Sequence, residues 1–182
     1  MVLLLIGIMV GIICADQLTK WLAVIYLQGE PSFPLWKDVL HFTYATNEGA
    51  AFGMLSNQRW VFMLFSSIAI IALLVYLFYF RPKSKYVKIT LAMIIGGGIG
   101  NMIDRCWLGY VIDFIDFTLI DFAVFNVADS FVTVGAFMLM GYLIRDMIKE
   151  IREEKAAKAA KAASSESLED DAPTANAEND DE

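Results

Sequence analysis

The sequence predicts an all-α membrane protein with four transmembrane helices. Of its 182 residues, 58% are hydrophobic, and the mean hydropathy is +0.55. That apolar share lies well above the usual value for a soluble domain. A spanning helix needs about 20 apolar residues. Four windows meet or approach that length, at about 2–27, 59–80, 87–104 and 126–146, and they place one membrane domain in residues 1–147.

Two further segments follow the membrane domain. Residues 148–163 are rich in Ala, Glu and Lys, which favours a cytoplasmic helical extension. Residues 164–182 contain eight acidic and no basic residues, so they account for more than the whole formal net charge of −7. This composition predicts a disordered acidic tail. The membrane domain itself is close to neutral, and we expect no nucleic-acid partner.

The placement of Lys and Arg predicts the orientation in the membrane. Ten of the 14 basic residues lie where the second window ends and the third begins, or at and after the end of the fourth. The ten are Arg81, Lys83, Lys85, Lys88, Arg145, Lys149, Arg152, Lys155, Lys158 and Lys161. Both termini are therefore predicted to be cytoplasmic, with loops 28–58 and 103–126 outside. The first window lacks a positive leader and a small-residue cleavage site, so we expect an uncleaved helix rather than a signal peptide.

Two aspartates near the fourth window are candidate catalytic residues. Asp113 lies in the aromatic segment V-I-D-F-I-D-F, and Asp129 follows Asn126 in F-N-V-A-D-S. A carboxylate at membrane depth costs about 2.5–3.5 kcal/mol on insertion scales and indicates function. The start of a helix favours the charged form of Asp129, whereas apolar neighbours favour the protonated form of Asp113. Carboxylates in contrasting environments can divide acid and base roles, although the sequence leaves open which one holds the proton.

Polar residues at the ends of other windows are candidates for supporting roles. Asp16 and Lys20 are four residues apart in D-Q-L-T-K, so they can pair on one helical face. Such a pair either fixes the outer end of the first helix or borders a polar site and binds the substrate backbone. N-E-G-A-A-F follows a strand-like stretch at 39–46. There Asn47 can hydrogen-bond a peptide, and Gly49 permits its close approach.

The third window ends in G-G-G-I-G-N-M-I-D-R. Gly96 and Gly100 have the spacing of close helix–helix contacts. Asn101, Asp104 and Arg105 share one helical face, and an Arg–carboxylate pair is geometrically strong. These residues predict a packing seam that ends in a polar site.

Metal and cofactor sites are not expected. Cys14 and Cys106 lack the spacing of a metal or redox motif, and we interpret both as packing residues. His41 is the only histidine, which excludes a site with several His ligands, and we interpret it as an interfacial side chain.

Five motifs together resemble the lipoprotein signal peptidase family, also called signal peptidase II. The resemblance covers about residues 1–147 with four helices. One departure is Gly98, where the family usually has Ala. In order, the motifs are D-Q-L-T-K (16–20), N-E-G-A-A-F (47–52), G-G-G-I-G-N-M-I-D-R (96–105), V-I-D-F-I-D-F (111–117) and F-N-V-A-D-S (125–130).

The resemblance implies an aspartyl endopeptidase of the bacterial inner membrane. It would cut the signal peptide of prolipoproteins just before a diacylglyceryl-modified cysteine, near the outer face, and would be blocked by the cyclic peptide globomycin. It implies no metal or cofactor, a small extracytoplasmic β-cradle and a mobile short helix in loop 28–58. The partners would be lipid-modified prolipoproteins and membrane lipid, and we expect a monomer.

The resemblance also assigns site residues. Asp113 and Asp129 would be the catalytic pair. The residues with substrate-binding or supporting roles would be Asp16, Lys20, Asn47, Gly49, Asn101, Asp104, Arg105, Asn126 and Ala128.

Two other classes of function stay open at this point. A small proton-coupled membrane transporter also uses intramembrane carboxylates, but the sequence has no internal repeat and its polar residues gather at the outer ends of the helices. A non-enzymatic scaffold built on the glycine seam leaves Asp113 and Asp129 unexplained.

Overall fold

The computed structural model describes residues 1–49 and 59–170, with side chains except at residues 59, 62 and 159–170. The chain forms two compact units, Met1–Met140 and Gly141–Glu182. Four long helices carry most of the chain. They are α1 (Val2–Leu27), α2 (Arg59–Val75, which continues as a π-helical turn at Tyr76–Phe80), α3 (Lys85–Trp107) and α4 (Val127–Asp170).

All four helices contain segments long and apolar enough to cross a membrane. These segments are Val2–Leu27, Met63–Phe80, Lys85–Trp107 and Val127–Lys158. The prediction of four spanning helices is confirmed. The third helix ends three residues later than predicted, at Trp107, so Asn101, Asp104 and Arg105 all lie on its last turns.

Helix α4 continues well beyond the membrane domain predicted from sequence. It runs to Asp170 and therefore includes residues 164–170, which the sequence analysis places in the disordered tail. The Ala, Glu and Lys residues of 148–163, from which this helix continues, have high helix propensity. Ion pairs one turn apart, such as Lys158–Glu154 at 2.6 Å, add some support. The rest of the predicted tail, 171–182, lies outside the described residues.

Helix α1 packs against α3 through one stripe of side chains. The buried residues of α1 recur every three or four positions, as expected for one helical face. They are Leu5, Met9, Ile12, Asp16, Lys20 and Ala23. The predicted ion pair of α1 therefore lies on its packing face, not toward lipid or water. Half of the α3 span is buried, more than in any other candidate span of the described residues, which makes α3 the central helix.

Glycines allow α1 and the start of α4 to approach α3 closely. A Cβ added to Gly100 would lie 2.6 Å from Asp16 Oδ2 and 3.4 Å from the Ala128 Cβ. A Cβ added to Gly97 would overlap the main-chain oxygen of Ala128. The close helix contacts predicted for this motif are confirmed.

A three-stranded antiparallel sheet covers one end of the helices. Its strands are β1 (Phe33–Trp36), β2 (Leu40–Asn47) and β3 (Val111–Asp116), in the order β1-β2-β3. Ala45 of β2 lies opposite Asp113 of β3. On β3, Ile112 and Phe114 pack with Ala23 of α1 in one apolar cluster, which fixes the sheet to the helices.

The sheet confirms the expected β-cradle but corrects its composition. A strand was predicted at 39–46, and β2 occupies that stretch. The third strand comes from residues 111–116, which the sequence analysis treated as part of an outer loop. The short helix expected in loop 28–58 is not found in 28–49, and residues 50–58 lie outside the described residues.

The glycine contacts predict the effect of two matched substitutions on stability. Gly97→Ala should destabilise the protein by about 1–3 kcal/mol, because the added methyl group meets the main chain of α4. Gly11→Ala is the control, since nothing lies within 4 Å of its added Cβ, and it should be neutral or stabilise by about 0.5–1 kcal/mol. Thermal unfolding in detergent measures both, and equal effects would contradict this account of the packing.

Candidate active site

The two candidate aspartates lie together at the end of the helices covered by the sheet. Asp113 lies within β3 and is 2% exposed, and Asp129 lies in the first turn of α4. Asn126 contacts both of them. Its Nδ2 donates to Asp113 Oδ1 at 2.6 Å, and its main-chain N–H donates to Asp129 Oδ2 at 3.3 Å. Both acids line the same cavity.

The start of α4 fixes the orientation of Asp129. Asn126 caps the helix, because its Oδ1 accepts the N–H of Asp129 at 2.9 Å while Asp129 accepts the N–H of Asn126 in return. This reciprocal arrangement is a capping box. Because the cap occupies the side-chain oxygen of Asn126, its amide nitrogen faces Asp113.

Asp113 has a second amide partner on β2. Asn47 Nδ2 donates to Asp113 Oδ2 at 3.2 Å, and Asn47 Oδ1 accepts the N–H of Gly49 at 3.1 Å. The turn after β2 therefore holds the Asn47 amide in place. Asn47 and Gly49 therefore lie at the cavity beside the acids, and their role in binding the substrate stays a prediction.

Burial raises the pKa of Asp113 to about 6. Desolvation is the largest cause, and the negative charge of Asp129 raises the pKa further. Hydrogen bonds from Asn47 and Asn126, and then the charge of Lys20, act in the opposite direction. Asp113 can therefore change its protonation state near neutral pH.

A buried charged cluster lies behind the two acids, centred on Lys20. The Lys20 Nζ lies 2.9 Å from Asp16 Oδ2 and 2.8 Å from Asp104 Oδ2, and it donates to Asn101 Oδ1 at 2.8 Å. These three acceptors use all three N–H donors of the ammonium group. Asn101 then donates from Nδ2 to Asp129 Oδ1 at 2.7 Å. The predicted pairing of Asp16 with Lys20 is confirmed.

Both carboxylates of this cluster also hold the main chain next to the candidate acids. Asp16 Oδ1 accepts the N–H of Ala128 at 3.0 Å, and Asp104 Oδ2 accepts the N–H of Ile112 at 3.2 Å. The N–H groups belong to the residues that directly precede Asp129 and Asp113. Side chains of α1 and α3 thus hold β3 and α4.

The structure decides two points that the sequence left open. Within the described residues, Asp104 pairs with Lys20 and not with Arg105, which instead donates to the Asn101 carbonyl at 3.4 Å and faces the cavity. Asp16 and Lys20 do not border the cavity, because they are 0% and 2% exposed and point to α3. The Lys20 ammonium group is instead paired with Asp16 and Asp104 on the α1–α3 contact face.

The cavity beside the acids has a volume of about 900 Å³. Its apolar wall comes largely from the segment between β3 and α4, including Phe117, Phe122, Val124 and Phe125. Its polar end contains five of the predicted site residues, Asn47, Gly49, Arg105, Asp113 and Asp129. The other six predicted residues lie behind this lining, namely Asp16, Lys20, Asn101, Asp104, Asn126 and Ala128.

Sequence analysis missed several residues around the site. Gln17 donates from Nε2 to Asp104 Oδ1 at 2.8 Å and to the Gly100 carbonyl at 3.2 Å. Its spacing of three residues from Lys20 places it on nearly the same helical face, which was the available signal. Glu48 at the cavity rim, and the apolar segment that contains Phe117, carried no comparable signal.

Comparison with known proteins decides the family. Residues 8–145 match the family described as Signal peptidase (SPase) II. The chain belongs to the signal peptidase II family. Lipoprotein signal peptidase from Caldanaerobacter subterraneus subsp. tengcongensis is 48% identical over 139 residues, which are 76% of this chain and 94% of that protein. Lipoprotein signal peptidase from Brevibacillus brevis is 43% identical over 129 residues, which are 71% and 87% of the two chains.

Solved structures support the same fold. A bacterial membrane enzyme structure determined at 2.3 Å resolution superposes with a TM-score of 0.72 at 31% identity, over 79% of this chain and 88% of that one. A second bacterial membrane enzyme structure, determined at 1.9 Å resolution, superposes with a TM-score of 0.71 at 32% identity. The superposition covers 78% of this chain and 93% of that one. This signal peptidase II is therefore an aspartic peptidase and a multi-pass membrane protein, with four candidate spans in the part of the chain that the structure describes. The family assignment favours the peptidase over the transporter that the sequence left open.

Proposed function

We propose that Asp113 and Asp129 form the catalytic dyad with which this signal peptidase II removes the signal peptides of prolipoproteins. The supporting observation is that one residue, Asn126, hydrogen-bonds both acids at the polar end of one cavity. Two carboxylates that share a site divide into an acid and a base, because both cannot easily carry a charge at once.

In the proposed reaction the dyad holds a water molecule. The ionised aspartate takes a proton from that water, which attacks the scissile carbonyl carbon. The protonated aspartate donates to the carbonyl oxygen as negative charge develops there. The amide bond then breaks as a proton reaches the leaving nitrogen. General acid–base help of this kind contributes about 10²–10⁴-fold to the rate.

We assign the proton of the resting dyad to Asp113. Its raised pKa of about 6 favours the protonated form more than for an aspartate in water. Asp129, like Asp113, accepts a donor on each oxygen, namely Asn101 Nδ2 and the Asn126 N–H, but it lies in the first turn of a helix. That position favours a negative charge. Asp129 is then the base and Asp113 the acid, although the pair titrates as a unit.

The cavity fits a lipid-modified peptide as substrate. Its volume of about 900 Å³ is within the usual range for ligand sites. The aromatic wall at Phe117, Phe122 and Phe125 can contact the acyl chains of a diacylglyceryl-modified cysteine, while Asn47 and Arg105 lie at the polar end beside the acids. We propose cleavage just before this cysteine, with membrane lipid around the chain.

We propose that the site faces outward and that both termini are cytoplasmic. The acids lie where α1 and α3 end and α4 begins, whereas the basic loop between α2 and α3 lies at the opposite end of these helices. Positive residues favour the cytoplasmic side. The family match ends at residue 145, so we assign the stretch after 147 to a cytoplasmic extension outside a monomeric peptidase domain.

Asparagine substitutions of the dyad test this proposal. Asp113→Asn and Asp129→Asn should each lower the rate of precursor cleavage by about 10²–10⁴-fold, because each removes one proton-transferring group. Thermal stability and globomycin binding should remain near those of the wild type. The measurement is a gel-shift cleavage assay on a lipid-modified precursor, with an unmodified precursor for comparison.

The matched control is Asp116→Asn on the same strand. Asp116 accepts Thr43 Oγ1 at 2.9 Å and does not line the cavity, so its replacement should leave the rate near wild type. Wild-type cleavage by Asp113→Asn would show that the dyad is wrongly assigned. Equal losses in Asp113→Asn and Asp116→Asn would contradict a specific role.

The Asn47 hydrogen bond predicts a change in pH dependence. It stabilises the ionised form of Asp113, so Asn47→Ala should raise the pKa of Asp113 above its value of about 6. Because Asp113 acts as the acid, kcat/KM falls as pH rises through this pKa, and the fall should move to higher pH. Thr46→Ala is the control, because Thr46 lines the same cavity but is not among the residues that shift the pKa of Asp113, and it should leave the profile in place. A shift to lower pH, or none, would contradict the acid role of Asp113.

A further inference from the structure

We infer that Lys20 is the centre of a clamp that sets the spacing between the two carboxylates of the proposed dyad. The clamp consists of Lys20, its two arms Asp16 and Asp104, and Asn101. Lys20 does not line the cavity and is 2% exposed, so it contacts no substrate. It is a positioning residue, and this role rests on the proposed dyad.

The two arms reach the two halves of the dyad separately. Asp16 joins Lys20 through Oδ2 and the N–H of Ala128 through Oδ1, next to Asp129. Asp104 joins the same ammonium and the N–H of Ile112 through Oδ2, next to Asp113. One cation therefore fixes the start of α4 relative to strand β3.

Asn101 gives the clamp a direct link to one acid. Lys20 has only donors, so the side-chain oxygen of Asn101 must face it. The amide nitrogen then faces Asp129, to which it donates at 2.7 Å. A flipped Asn101 would set its N–H groups against the ammonium and leave Asp129 Oδ1 without this donor.

Gln17 fixes the orientation of the second arm, the Asp104 carboxylate. Its Nε2 donates to Asp104 Oδ1, the oxygen that Lys20 does not use. With both oxygens occupied, the Asp104 carboxylate cannot turn away from Ile112 without losing charge-assisted hydrogen bonds, which are stronger than neutral ones. Removal of either arm should therefore let one acid move relative to the other.

The test compares isosteric arm variants with a core variant outside the clamp. An asparagine has one acceptor oxygen, so Asp16→Asn can hold Lys20 or the Ala128 N–H but not both. Asp104→Asn either gives up Lys20 or sets an N–H group against Gln17. The control is Thr90→Val on α3, which also alters a buried polar residue but lies outside the clamp. For each variant, kcat and KM are measured on a lipid-modified precursor, together with thermal unfolding and with Asp113→Asn in the same assay.

Both arm variants should lower kcat by about tenfold to a hundredfold while KM stays within about threefold, because a misplacement near 1 Å has this cost. Thr90→Val should keep the wild-type kcat, even if its unfolding temperature falls by as much as that of the arm variants. The double variant Asp16→Asn/Asp104→Asn should lose less than the product of the single losses, because both arms act through Lys20.

A wild-type kcat in either arm variant would overturn the clamp, as would losses that match those of Thr90→Val at equal stability. If Asp113→Asn is inactive while the arms are dispensable, only the clamp fails. If Asp113→Asn is fully active, the proposed dyad fails instead. Lys20→Met would leave the buried carboxylates of Asp16 and Asp104 without their cation, which can prevent folding. The isosteric arm variants therefore decide the outcome.

Discussion

One buried ammonium group organises the functional end of this signal peptidase II. Lys20 satisfies all three of its donors with two carboxylates and one amide, and those partners lie on α1 and α3. Burial of three charges is costly, and an ion pair of this kind seldom adds net stability over apolar packing. The cluster is therefore better explained by the geometry it imposes on its neighbours than by its contribution to the free energy of unfolding.

The helix packing is arranged around this cluster. Gly100 leaves the space that Asp16 Oδ2 occupies, and Gly97 lets the main chain of Ala128 contact α3. Larger residues would force apart α1, α3 and α4, three of the four elements that the cluster joins. The close contacts of the glycine seam and the position of the two acids thus depend on one another. The family's usual Ala at position 98 fits this view, because a Cβ there faces Ile70 of α2 and not the cluster.

The sequence predicted the features that rest on local patterns. Long apolar windows gave the four helices, and the four-residue spacing gave the pairing of Asp16 with Lys20. Strand β3 was missed because Val111 to Phe114 are all buried, which removes the alternation that identifies a strand. The partner of Asp104 was also missed. The nearest cation in sequence is Arg105, whereas the actual partner comes from another helix and could be found only from the tertiary packing.

The central claim is that the carboxylates of Asp113 and Asp129 lie close enough to influence one another. Carbon-13 NMR of labelled aspartate side chains, titrated in detergent micelles, tests this most directly. Asp113 should titrate near pH 6 in the wild type, and in Asp129→Asn its pKa should fall, because a neighbouring negative charge has been removed. An Asp113 carboxyl that titrates at the same pH in both proteins would contradict the account.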